Sequence, residues 1–426
     1  MSIKSVKIES LASRLILALA ALICVIAAFA FTKWSLANAV SAQADHKEVA
    51  ALAIASAPDD PQTHQIAAVL LEKTFLPEDL QKSLEEYEKA AALSPDNYLF
   101  WLSLGGARER SGDADGAEKA LRKALELAPN YAQVQWAFGN TLLRQGKSEE
   151  ALAMIRSAIK SDPKLTNPAI IAIWQIFEGD VVRVRREIGD SPEANAAFAV
   201  FLARQKQFDE AFEIWNALPA DLKSSVLAKN GEELANEFVA AKKYRAAQTI
   251  SAQISPDDEK DSAPEQIANG DFEKDIKMNN ATVYEWRIPE GNQPQIGLDN
   301  QSKRSGERSL FLIFNSTDGK GFRQVSQTVT VAPEKSYKLS FAYKSELKTS
   351  AGLKWEIADA ADGKVLSSSA AISGIADWTN GSIVFTVPKT VEAVVVRLAR
   401  ETCQSGICPI TGKVWFDDFK LTPNFQ

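Results

Sequence analysis

The chain has 426 residues, more than one hydrophobic core usually supports, so two folded units and a tail are expected. A formal charge of -7 and a pI near 5.3 leave no cationic footprint for a phosphate backbone, which excludes nucleic acid as a partner. Only His46 and His64 supply imidazoles, neither beside a Cys nor in an HExxH spacing, so zinc and histidine-based nucleophilic catalysis lack raw material. Both read as solvated helix residues.

The first predicted element is apolar. Leu15 to Phe31 reads LILALAALICVIAAFAF, 17 residues without a charge, and Thr32 to Trp34 extend it to an interface. Lys4, Lys7 and Arg14 precede it against Glu9, and Lys33 alone follows closely, so the cationic flank predicts a cytoplasmic N-terminus. The expected layout is a tail over 1–14 and a signal anchor over 15–34, single-pass in a bacterial inner membrane, with the bulk of the chain periplasmic. A cleaved signal peptide competes, because Ala37-Asn38-Ala39 and Ala42-Gln43-Ala44 both satisfy the small-x-small rule. Either way the remainder is exported. Cys24 lies in the apolar run, whereas Cys403 and Cys408, in CQSGIC, form an even pair suited to a small disulfide loop in an oxidising compartment.

Pro61, Pro95, Pro129 and Pro163 are separated by 34 residues each time. Between Pro95 and Pro129, Trp101, Leu104 and Gly105 open one helix, Gly112-Asp113 makes a turn, and Ala117, Leu121 and Ala124 recur along a second. This stretch resembles the tetratricopeptide repeat. The next unit keeps Phe138, Gly139, Gly146, Ala151, Ile155 and Ala158 in register, but its tryptophan, Trp136, arrives one position late. Residues 195–256 carry two degenerate repeats, and Ile170 to Ile188 reads as an irregular helical insertion. The array is assigned to 46–256. Such hairpins stack into an α-solenoid with a groove lined by their first helices. The resemblance places a protein-binding groove at Leu99, Leu102, Glu109 and Arg110, and at Gln133, Trp136, Asn140 and Arg144. A displaced large aromatic makes Trp136 the candidate anchor, with local repacking by one position as its competing explanation.

A charged, proline-bearing linker follows, assigned to 257–266, and the apolar period then changes from 3.6 to 2. RSLFLIF, FRQVSQTVTV, SYKLSFAYKS, SIVFTV, AVVVRLAR and KVWFDDFKL predict an antiparallel β-sandwich over 267–426. IANGDFE, EW, RSGERSL, DWTNGSIVFTVP and VWFDDFKL, in that order, resemble galactose-binding-like jelly rolls, with carbohydrate-binding modules of the family four and nine type as the nearest pattern.

That resemblance implies a structural Ca²⁺ shared by Glu273 and Asp417, since hard oxygen ligands without Cys or His suit calcium. The alternative is a hydrogen-bonded carboxylate at a strand end. Adjacent strand residues point to opposite faces, so Asp417 and Asp418 are not expected to converge as a catalytic dyad. For sugar binding, Trp355, Tyr284, Gln324 and Arg397 are the candidates, and Trp286 and Trp378 match positions that pack in the core. Two readings result, neither of them enzymatic: a membrane-anchored adaptor whose repeats hold a protein while the jelly roll binds a polysaccharide, or a purely protein-binding scaffold. A glycan-active enzyme stands third.

Overall fold

The computed structural model describes residues 11–254, 263–279, 281–317, 322–403 and 407–424. Most of the tail expected over 1–14 and of the linker expected over 257–266 lies outside them. The chain divides into two compact units, Met1–Gly189 and Asp190–Gln426. The division falls inside the helical stretch, so the last helices belong with the sandwich.

In the first unit, α1 (Leu11–Ala42) is one continuous helix of 32 residues. It is the only helix among the described residues long and apolar enough to cross a membrane. At a rise of about 1.5 Å per residue it is roughly 48 Å long, more than a hydrocarbon core needs. Its last turns are not free: Ala37 and Ser41 are buried where α1 meets α2 (Lys47–Ser56) and α3 (Pro61–Glu72). Asn38 Nδ2 donates to Asp60 Oδ2 at 3.3 Å, and the same carboxylate caps α3 through Thr63 N.

Hairpins follow. α3 pairs with α4 (Pro77–Leu93), α5 (Tyr98–Arg110) with α6 (Ala114–Leu127), α7 (Ala132–Arg144) with α8 (Ser148–Ser161), and α9 (Thr166–Ile176) with α10 (Val181–Ile188). The stretch expected as an irregular insertion is therefore a further hairpin, its Ala169, Ile170, Ile173 and Val184 buried like those of its neighbours. Close crossing explains the small residues. A Cβ on Gly105 would lie 2.5 Å from Leu121 Cγ, and one on Gly139 3.0 Å from Ile155 Cγ1.

The second unit holds α11 (Pro192–Arg204), α12 (Phe208–Asn216), α13 (Ala220–Lys223), α14 (Ala228–Ala240) and α15 (Tyr244–Ile254), then the strands. Where the central repeats turn on left-handed Gly112 and Gly146, the hairpins α11–α12 and α14–α15 place Lys206 and Lys242, at φ 65° and 64°. The turn glycine is therefore missing from the sequence there, which is one reason the period fades, and both lysines adopt a conformation that glycine would take without strain.

The strands are β1 (Gln295–Asp299), β2 (Ser309–Ser316), β3 (Ser326–Thr330), β4 (Ser336–Glu346), β5 (Lys348–Thr349), β6 (Leu353–Asp359), β7 (Val365–Ser368), β8 (Ile375–Thr386), β9 (Ala393–Arg400) and β10 (Ile410–Pro423). Among the described residues they form two antiparallel sheets: β1-β2-β10-β4-β8, with β5 on the end of β10, and β3-β9-β6-β7. Neighbours far apart in sequence, such as β2 with β10 and β3 with β9, are what a jelly roll requires. Leu310, Leu312, Leu339, Phe341, Val396 and Leu398 alternate inward to form the core.

Helix α15 lies against this sandwich. Tyr244 Oη donates to Ala360 O at 2.7 Å, Tyr284 Oη to Tyr244 O at 2.7 Å, and an Arg245 Nη to Val331 O at 2.6 Å. Thr330 and Gln248 are fully covered and bonded to each other. One end of the β3 sheet's outer face is thereby closed.

Candidate functional site

Three places carry the residues singled out above, beginning with the first helices of the repeats. Leu99, Arg110, Gln133 and Arg144 are exposed, and Leu102, Glu109, Trp136 and Asn140 are half-buried. The arginines are engaged. Arg144 pairs with Glu109, which also accepts from Thr141 Oγ1 at 3.1 Å, and Arg110 pairs with Glu72 of α3. Successive first helices are thus stapled by Arg-to-Glu rungs, each exposed and worth about 1 kcal/mol or less.

Trp136 is not a late copy of Trp101. Trp101 Nε1 donates to Pro95 O at 2.8 Å, and 34 residues later Gln135 Nε2 donates to Pro129 O at 2.7 Å. Gln135 is buried and holds the register position, which removes local repacking as the explanation of Trp136. The indole is an additional aromatic beside that position. Asn140 Nδ2 donates to Trp136 O at 3.0 Å, and Trp136 Nε1 has no acceptor among the described residues.

Of the two histidines, only His46 is exposed. His64 is buried on α3, with Nδ1 against the Glu86 carboxylate and Nε2 2.8 Å from Pro58 O. Burial works to raise the Glu86 pKa, but hydrogen bonds from Lys89 and His64 outweigh it and hold the carboxyl below its ordinary range. The pair joins α3 to α4. The expectation of two solvated imidazoles fails because Glu86, half-buried on the next helix, supplies a hydrogen-bond partner that lets the ring be covered.

The second place is the loop at 303–308, which takes carboxylates from two sides. Glu273 Oε1 accepts from Glu307 N at 2.8 Å and Arg308 N at 3.0 Å. These amides hold its pKa below the ordinary carboxylate range. Asp417, fully buried, accepts from Arg304 N at 2.9 Å and Ser305 N at 3.2 Å on Oδ2, and from Asp418 N at 2.8 Å on Oδ1. Here burial outweighs the amides and pushes the pKa up.

Strict strand alternation, on which the separation of Asp417 from Asp418 rested, is broken. Asp417 pairs with Ala342 but Lys420 with Ser340, so Asp418 and Phe419 together oppose Phe341. Asp418 sits at φ 54° and accepts from Ser305 Oγ at 2.5 Å, so both carboxylates reach one loop. The freed Phe419 N donates to Gly270 O at 2.8 Å, and a Cβ on Gly270 would lie 2.2 Å from Phe419 O. That contact explains the glycine of the IANGDFE motif.

The Glu273–Asp417 pair does not fit a calcium ion. Glu273 Oε1 and both Asp417 oxygens face N–H dipoles, and the Arg308 guanidinium lies among the neighbouring oxygens, bonded to Glu273 O and Asp275 Oδ1. Among the described residues no group of three His, Cys, Asp or Glu is placed to hold a metal. What the loop does is order β2 against β10. Beside it, Gln266, Asn269, Asp271, Lys274, Ser340 and Asp418 line a polar, open concavity of about 550 Å³.

The third place is the sandwich surface, where the expected sugar-binding set is not brought together. Trp355 is fully buried, in T-shaped contact with Trp286 at 5.8 Å and Phe419 at 4.8 Å, so it is a core residue. Leu353, Trp355 and Ile357 alternate inward together, a period-two signal legible in GLKWEIAD. Tyr284 is buried under α15. Arg397 Nε donates to Glu356 at 3.0 Å, and Gln324 is half-buried. Of the two tryptophans expected in the core, Trp286 is there and Trp378 is half-buried.

Two other aromatics lie on the outer face of the β1-β2-β10-β4-β8 sheet, where half-buried Phe311 and buried Trp415 stack at 5.1 Å and 22°. Trp415 Nε1 donates to Asp299 Oδ2 at 2.7 Å, Lys344 Nζ lies 5.5 Å from the Trp415 ring centre, and Lys413 Nζ 5.9 Å from that of Phe311. Cys403 and Cys408 form a disulfide, Cα atoms 6.0 Å apart, and Arg400 donates to Cys408 O at 2.7 Å.

Comparison with known proteins identifies tetratricopeptide repeats at residues 78–132 and 108–172. A curated relative, DnaJ homolog subfamily C member 3 of Bos taurus, is 24% identical over 155 residues, 36% of this chain and 30% of that protein. The chain therefore spans less than a third of that relative's length. Among solved structures, one described as "CBM4 structure and function" matches 37% of this chain and 99% of its own, at 20% identity and TM-score 0.29. YrrB, described as a TPR protein with an unusual peptide-binding site, matches 50% of this chain and 94% of its own, at 19% identity and TM-score 0.26. Tetratricopeptide repeats are protein-interaction scaffolds.

Proposed function

We propose that this protein is a membrane-anchored, extracytoplasmic adaptor without catalytic activity. Its repeat groove, centred on Trp136, takes a segment of a partner protein, and its sandwich binds a polysaccharide without cleaving it. The observation that carries the first half is the Trp101–Gln135 correspondence. Because Gln135 already makes the structural bond, Trp136 is free to act as the kind of aromatic anchor that dominates interfaces. Export is supported by the apolar α1, whose end is built into the first hairpins, and by the Cys403–Cys408 disulfide. A binding role is supported by Glu273, Asp417 and Asp418, which are spent on the 303–308 loop instead of facing each other across a cleft.

The test is quantitative binding. A partner co-purified with the full chain is identified and its affinity measured by calorimetry for wild type, Trp136→Ala and Leu99→Ala. A loss of about tenfold or more in Trp136→Ala, with an unchanged melting temperature, is expected. Equal affinity removes the groove assignment. A second reading, in which the sandwich is only a structural cap, is favoured by α15 covering one end of the β3 sheet's outer face. Absence of any glycan on an array probed with the whole protein selects it.

A further inference from the structure

The outer face of the β1-β2-β10-β4-β8 sheet differs in charge from the rest of this acidic chain. Lys338, Lys344, Lys348, Lys413 and Lys420 have no carboxylate partner among the described residues. The register puts them on one face: Lys344 lies opposite Trp415, Lys420 opposite Ser340, and Lys348 opposite Thr411, while Tyr337, Leu339 and Phe341 fill the other face. The carboxylates sharing this face include Asp299, bonded to the Trp415 indole, Asp417, buried under the loop, Asp418, bonded to Ser305 Oγ, and exposed Glu346. The balance is cationic in a protein of net charge -7.

Across the strands one row reads Gly297, Phe311, Trp415, Lys344. Trp415 is held between Phe311 and Lys344, and its indole is fixed by Asp299. On the other flank of Phe311 stands Gly297, where an added Cβ would meet nothing within 4 Å. That vacant position leaves room for a flat ring beside Phe311, with the exposed Gln295 amide two residues along β1 and Lys413 above. Aromatic faces stack on sugar rings, amides bond hydroxyls, and ammonium groups without carboxylate partners select an anionic substituent.

We infer that this face binds an acidic polysaccharide, with one sugar ring against Phe311 over Gly297 and its carboxylates neutralised by Lys344, Lys413 and Lys348. The inference rests on the reading that the sandwich holds a glycan and adds the charge class of that glycan. Polygalacturonate and its fully methyl-esterified, neutral form are the probes, offered to the full chain in discs of zwitterionic lipid. Wild type is expected to bind the acid form at least tenfold more tightly than the ester, with affinity falling as salt rises. Lys344→Glu with Lys413→Glu is expected to lower acid-form binding at least tenfold. Gly297→Leu, whose Cβ meets no atom within 4 Å and whose side chain would occupy the space beside Phe311, is expected to abolish it at an unchanged melting temperature; if that variant fails to fold, the charge-reversed pair decides. Equal binding of acid and ester overturns the charge inference and leaves the glycan reading standing. Binding of neither probe, or binding only to vesicles containing phosphatidylglycerol, overturns the acidic-glycan inference, and the glycan array then decides the broader reading.

Discussion

Tyr284 donates its hydroxyl hydrogen to the backbone oxygen of Tyr244, and Tyr244 donates its own to the backbone oxygen of Ala360, both at 2.7 Å. A loop of the sandwich, the last helix and a strand end are thereby linked in series through two buried phenols. Burial pushes both phenols up from their ordinary range. These bonds make α15 part of the sandwich's structure, although it belongs to the helical array by sequence.

A fragment beginning at Pro264 therefore loses a structural element. It exposes Tyr284 and Thr330 and breaks at least three hydrogen bonds worth about 1 kcal/mol each. Its melting temperature is expected to fall roughly 10 °C below that of a fragment beginning at Asp190. Calorimetry on the two fragments checks this, and equal melting temperatures would show that α15 only rests on the surface.

The 303–308 loop predicts an unusual acid response, because its two carboxylates are shifted in opposite directions. The Glu273 pKa is depressed by the amides of Arg308 and Glu307, so its contribution is fully present above its unfolded value, near 4.5, and is lost as pH falls through the lower folded value. Asp417 is raised by burial, so its charged form costs stability at neutral pH, and that cost is relieved as pH falls through its folded value. In urea titrations, Glu273→Gln is expected to be less stable than wild type above pH about 5, with the difference vanishing in stronger acid. A constant difference down to pH 3 would show that the carboxylate charge is not what the loop uses.

The same geometry predicts indifference to calcium. With the amides facing the carboxylate oxygens, EGTA or excess Ca²⁺ is expected to move the melting temperature of the sandwich by less than about 1 °C, whereas occupancy at a hundred times Kd would add about 2.7 kcal/mol. A clear rise with Ca²⁺ would mean that the loop reorganises around the ion.

Much of this architecture is legible in the residues. The 34-residue proline spacing sets the hairpins, and period two sets the strands. Alternation also places Trp355 inward with Leu353 and Ile357, and Phe311 outward between Leu310 and Leu312, so the burial of the expected sugar-binding tryptophan is legible in its own strand. The bulge at Asp418 was not legible, because it arises from Gly270, far away in sequence, offering its carbonyl to Phe419 N. Nor was the docking of α15. Its polar contacts run from tyrosine, arginine and glutamine to backbone and threonine, and an amphipathic pattern does not register them.

Position 135 offers a direct check on the repeat register. Gln135→Ala removes the bond to Pro129 O from a buried site and is expected to cost about 1–2 kcal/mol. Trp136→Ala, at a half-buried position that carries no structural side-chain hydrogen bond, is expected to cost less. The reverse order in chemical denaturation would make Trp136 the packing residue and remove it as a groove anchor.

The end of α1 bears on whether the apolar segment is retained. Both small-x-small sequences lie within α1 or just beyond its end, Ala37 is 3% exposed, and Asn38 is bonded to the carboxylate that caps α3. A peptidase that needs an extended substrate meets helix there, and cutting after Ala39 would strip packing from the first hairpins. The intact mass of protein extracted from membranes is therefore expected to include the whole apolar run. Ala37→Arg, which places a charge where no solvent reaches, is expected to loosen this end and cost about 2–4 kcal/mol. It should also convert the chain to a form cut near Ala39 or Ala44. A wild-type mass beginning after either alanine would mean that α1 is discarded and that its contacts with α2 and α3 do not persist in the mature protein.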